Sequence, residues 1–70
     1  MQSTYTPSAL AKTNAKRRLS LGLRLGYGEG YTVSMMVDSA MFVDFLSFDM
    51  ADFDAVKAWA TDLYRAERNP

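Results

Sequence analysis

Histidine and cysteine are both missing from this 70-residue chain. Without histidine there is no side chain that ordinarily titrates near neutral pH, and the commonest metal ligand is gone. Without cysteine there is no thiolate nucleophile, no disulfide staple and no sulfur-bound metal. The serines at positions 3, 8, 20, 34, 39 and 47 have no imidazole to activate them. The residues present therefore predict a non-enzymatic protein without a cofactor or metal. A cysteine-free chain suits a reducing compartment, and a cytoplasmic location is expected. No stretch approaches the roughly 20 apolar residues that span a bilayer. The N-terminus also lacks the basic start and apolar core of a secretory signal. Proline occurs only at positions 7 and 70, and the four glycines lie close together at 22, 26, 28 and 30.

What is present is apolar: 49% of the residues are hydrophobic. The length predicts one domain, spanning residues 6–68, preceded by a mobile segment at 1–5 that shows no periodicity. A chain this short buries only about 60% of its unfolded surface, so packing against a second copy or another protein would matter to its stability.

Periodicity supplies the fold expectation. Leu19, Leu21, Leu23 and Leu25 alternate with Ser20, Gly22 and Arg24, and Tyr31, Val33, Met35 and Val37 alternate with Thr32, Ser34 and Met36. Alternation at period two predicts strands with one apolar face. Gly28, Glu29 and Gly30 between them predict a three-residue hairpin loop with Gly30 in the left-handed conformation. Residues 41–48 carry three phenylalanines and predict a third strand, although a short apolar run of this kind also admits a helical reading. Thr6 and Pro7 read as the start of a short N-terminal helix. At the other end Phe53, Val56, Trp59, Ala60, Leu63 and Tyr64 recur at helical spacing, with Asp49 or Asp52 as cap. The expected architecture is α+β: a three-stranded antiparallel meander covered on one face by the C-terminal helix, in the order α-β-β-β-α. Trp59 and Tyr64 then belong to the core.

That architecture leaves Met36, Phe42, Asp44, Leu46 and Phe48 on the uncovered sheet face, as a candidate protein interface. The N-terminal segment with Tyr5 and Leu10, a second copy, or a different protein are the three candidates to cover it. Charge is segregated as well. Residues 1–37 hold five cations against one acid, and residues 38–70 hold three against seven. Lys12, Lys16, Arg17, Arg18 and Arg24 form the candidate charged rim, or a contact for nucleic-acid phosphates. The neutral net charge argues against a dedicated nucleic-acid protein.

Two other patterns have ordinary structural explanations. Asp49, Asp52 and Asp54 lack the spacing and the glycine of a calcium loop and suit a helix start. The glycines at 26, 28 and 30 resemble a phosphate loop only in composition. The leading expectation is a small homodimeric interaction protein that regulates or inhibits a larger protein by surface contact, and a phage or mobile-element origin would suit so compact a chain. The alternative is a nucleic-acid-binding regulator acting through the basic cluster.

Overall fold

The α+β expectation is wrong. The structure, a computed structural model describing residues 6–44 and 49–68, has three α-helices and no strand among those residues. They are α1 (Ala9–Leu25), α2 (Glu29–Asp44) and α3 (Met50–Arg68). The expected hairpin is a helical hairpin, and there is no meander.

The first helix starts at Ser8 rather than Thr6. The Ser8 hydroxyl accepts the Ala11 N–H at 3.1 Å, satisfying one of the unpaired donors of the first turn. It continues through the supposed strand to Leu25 because Leu and Arg are good helix formers. The alternating leucines do not share a face. Leu19 is buried, Leu21 is half-buried, and Leu23 and Leu25 are exposed. The buried stripe is instead Ala11, Ala15, Leu19 and Gly22, at intervals of four, four and three.

The left-handed residue is Gly26 (φ 77°), not Gly30. The N–H groups of Gly26 and Tyr27 both donate to the Gly22 carbonyl, closing α1 and turning the chain back. Gly30 lies inside the first turn of α2. Tyr27 and Tyr31 do meet, edge-on with ring centroids 4.9 Å apart, but as neighbours at the start of α2 rather than as a cross-strand pair. The β-branched content of α2 favours strand locally. Its buried residues Thr32, Val33, Met36, Val37 and Ala40 nevertheless follow the 3.6 period, and the tertiary packing they make possible prevails.

The close approach of α1 and α2 is set at Gly22. A Cβ there would lie 2.4 Å from Thr32 Oγ1 and 2.6 Å from Thr32 Cγ2. At the opposite end the Asp44 carboxylate accepts both the N–H and the hydroxyl of Ser8, joining the end of α2 to the start of α1. The two contacts fix an antiparallel register.

The C-terminal helix is the one that the sequence indicates, but it packs on helices. Asp49 caps it, with Oδ1 accepting the Asp52 N–H at 2.8 Å. Val56, Ala60 and Tyr64 are buried, and Trp59 and Leu63 pack against the same core. In the last turn, the Arg65 guanidinium donates from Nε to Glu29 Oε1 at 3.0 Å and from Nη2 to Oε2 at 3.2 Å. This ties the end of α3 to the first turn of α2. Each charge sits where the helix dipole favours it.

Candidate interaction surface

The core occupies one side of the α1–α2 pair, with α3 against it. The other side carries the candidate surface. At about 100° per residue, Tyr31, Met35, Asp38 and Phe42 share one flank of α2. Leu10, Asn14, Arg17, Arg18, Leu21 and Leu25 share the adjoining flank of α1. Between the flanks runs a groove of about 670 Å³ lined by Asn14, Arg17 and Arg18 from α1 and Met35, Asp38, Ser39 and Phe42 from α2. No α3 residue lines it.

Its rims are apolar and exposed. Phe42 is 72% exposed, Tyr31 63%, Leu10 60% and Leu25 55%, values that belong to surface and not to core. By the antiparallel register, Leu10 lies level with Phe42 at one end, and Leu21 and Leu25 straddle the level of Tyr31 at the other. Arg17 and Arg18 stand midway along α1. Their side chains and that of Asp38 make no hydrogen bond or ion pair among the described residues.

The structure redistributes the five expected interface residues. Met36 is fully buried in the core, so it cannot contact a partner; helical spacing turns it inward, where a strand would have turned it outward. Asp44 bonds to Ser8. Phe42 remains on the surface and lines the groove. Leu46 and Phe48 lie outside the described residues, as do the segment 1–5 and Tyr5.

The basic cluster is held on one helix but not in one patch. The first helix carries Lys12, Lys16, Arg17, Arg18 and Arg24 and no acid; α2 carries Glu29, Asp38 and Asp44 and no cation. Lys12 is half-buried, and the other four are exposed. Lys12 and Lys16 share one flank, Arg24 points away from the core, and Arg17 and Arg18 line the groove.

The Glu29–Arg65 pair moves the titration of both its members. The hydrogen bonds from Arg65 hold the Glu29 carboxyl below the ordinary value, outweighing slight desolvation, with further help from the positive charges of Arg65 and Arg68. No cluster of three or more potential metal-ligating side chains occurs among the described residues. No described helix is long and apolar enough to cross a membrane. A second, smaller groove of about 320 Å³ lies between α2 and α3, with Val33, Val37 and Phe53 among its walls.

In comparisons with known proteins, the chain matches no family model, no curated protein and no solved structure. Among the described residues the fold is a three-helix all-α domain.

The sequence reading missed Asn14, Met35, Asp38 and Ser39 as groove residues, and Leu10, Leu25 and Tyr31 as its apolar rims. The signal was there at helical spacing: 10, 14, 17/18, 21 and 25 on α1, and 31, 35, 38 and 42 on α2.

Proposed function

We propose that this chain is a small non-enzymatic interaction protein that regulates or inhibits a larger protein by surface contact, through the α1–α2 face opposite α3. The supporting observation is the exposure of Leu10, Leu25, Tyr31 and Phe42 on one face of two packed helices, around a groove with basic residues in its wall. Exposed large apolar groups scattered singly are unremarkable; grouped on one face, they mark a contact site. The cysteine-free composition supports action in the cytoplasm.

The test compares wild type with a Leu10→Asp, Phe42→Asp variant as bait in parallel captures from the host. Both sites are exposed, so the variant is expected to keep its helical circular dichroism while losing a protein that wild type retains. Identical captures by folded baits would refute the assignment of the surface.

A second reading has its own support in α1, whose five cations face no acid on that helix. In this reading Lys16, Arg17 and Arg24 grip nucleic-acid phosphates and Lys12 and Arg18 reinforce the potential. Titration of labelled duplex at low and moderate salt tests it, because phosphate contacts weaken steeply as salt rises. Absence of salt-dependent binding at micromolar protein would eliminate it.

A further inference from the structure

Resting on the surface reading above, we infer that the occupant of the α1–α2 face is a second copy of this chain, related by a two-fold axis parallel to the helices. The argument begins with self-complementarity, which a symmetric dimer requires: if one residue meets another across the interface, the reverse contact must also be favourable. The face has a cationic half and an anionic half. Arg17 and Arg18 stand on α1, and Asp38 stands on α2.

Two ways of laying this face on its own copy differ in outcome. An axis perpendicular to the helices sets α1 on α1. Arg17 and Arg18 lie at the midpoint of Ala9–Leu25, so they would meet their own copies, cation against cation. An axis parallel to the helices sets α1 of one protomer antiparallel on α2 of its partner and keeps every residue at its own level. Leu10 then meets the level of the second Phe42, and Leu21 and Leu25 meet the second Tyr31. Arg17 and Arg18 come within two or three residues of the level of the second Asp38, about 3–5 Å along the axis and within the reach of an arginine. Apolar ends meet apolar ends, and opposite charges meet between them.

The size fits a modest association. A face about 25 Å long and about 20 Å wide gives about 500 Å² per protomer, or about 1,000 Å² for the pair, near the lower bound for a specific interface. An association of this size is expected to be weak, and sensitive to salt because two sets of charge pairs hold it.

The experiment is sedimentation equilibrium from about 5 to 300 μM on wild type, Asp38→Arg, and the double variant Arg17→Asp, Arg18→Asp. Wild type is expected to move from 7.9 kDa toward twice that mass. Each variant sets like charges against each other in its own dimer, so its self-association is expected to weaken at least tenfold. Mixed in equal amounts, the two variants satisfy both sets of contacts and are expected to associate again. Circular dichroism and Trp59 fluorescence check that each remains folded; the substituted residues are exposed, and Leu25→Asp serves as an apolar counterpart. A wild type that stays monomeric at 300 μM overturns the inference, as does a dimer that neither variant weakens, or a mixture that fails to associate. If wild type is monomeric but the Leu10→Asp, Phe42→Asp bait still loses a captured protein, the face is a docking site for another protein and only the second copy is rejected.

Discussion

Gly22→Ala is expected to destabilise this protein, against the general rule for helices. In an open helical position the change stabilises by about 1 kcal/mol, because glycine has the greater backbone freedom to lose. At Gly22 the added methyl would lie 2.4 Å from Thr32 Oγ1, 2.6 Å from Cγ2 and 3.0 Å from Cβ, where ordinary contact begins at 3.4 Å. Thr32 cannot swing clear, since both branches of a side chain already stiff at χ1 are in the way. The helices must separate by about 1 Å, which loosens Ala11, Ala15, Met36 and Ala40 in the same core. Overpacking of this kind costs about 1–3 kcal/mol, leaving a net loss of up to about 2 kcal/mol after the propensity gain. A chain of this size has only about 4–10 kcal/mol in total, and at about 1 kcal/mol per molar urea the midpoint should fall by up to about 2 M. Urea titration followed at 222 nm measures it. Gly30→Ala is the control, because it opens onto empty space and should be neutral or slightly stabilising. In a Thr32→Ala background, where Oγ1 and Cγ2 are gone, Gly22→Ala should recover at least about 1 kcal/mol, as a double-mutant cycle would report. A higher urea midpoint for Gly22→Ala alone, or no coupling to Thr32, would refute the close approach.

Two further outcomes follow from the polar groups. Thr32 Oγ1 is buried without a hydrogen-bond partner among the described residues, so Thr32→Val is expected to stabilise by about 1 kcal/mol in the same urea assay; a loss of that size would mean that the hydroxyl is bonded. Arg65 lowers the Glu29 carboxyl in the folded state, so the folded protein binds its proton less readily than the unfolded chain. Its contribution should be present above the ordinary value near 4.5 and disappear as pH falls through the folded value, with Arg65 charged throughout. Melting curves of wild type and Glu29→Gln should therefore differ at pH 7 and converge at about pH 3 or in about 0.5 M salt; a gap that persists in acid would contradict the sign.

The sequence was legible where one period dominated. In α3, Val56, Ala60 and Tyr64 recur at four-residue intervals with Trp59 and Leu63 beside them, and no alternation competes. In α1, Leu19, Leu21, Leu23 and Leu25 present period two, but only Leu19 is in the core. The real stripe there consists of two alanines, one leucine and a glycine, which contribute little to any hydrophobic signal. Small residues lie there because the partner helix comes close, and closeness is a property of the pair, invisible in either helix alone. The second helix is apolar around most of its circumference, so its sequence supports strand and helix almost equally. Which side is buried is decided by α1 and α3. The interface reading inherited this error: residues chosen by parity changed sides at Met36 and stayed outside at Phe42. The charge segregation survived the change of fold, because it depends on position along the chain and not on the period.

The polar clasp of Ser8 with Asp44 gains significance from the smoothness of the α1–α2 seam beside it. Ala11 and Ala15 are interchangeable under a slide of one helical turn, about 5.4 Å, and such a slide would set small residues against small residues again. At those two positions apolar packing is nearly indifferent to that slip, and Gly22 against Thr32 is the place in the seam that resists it. The clasp is not indifferent: it joins the beginning of α1 to the end of α2 and would be pulled apart by a full turn, while Glu29 with Arg65 does the same for α2 and α3. A surface contact of little intrinsic strength at one end and the Gly22–Thr32 fit near the other thus enforce the same register, and the alignment of every groove residue depends on it.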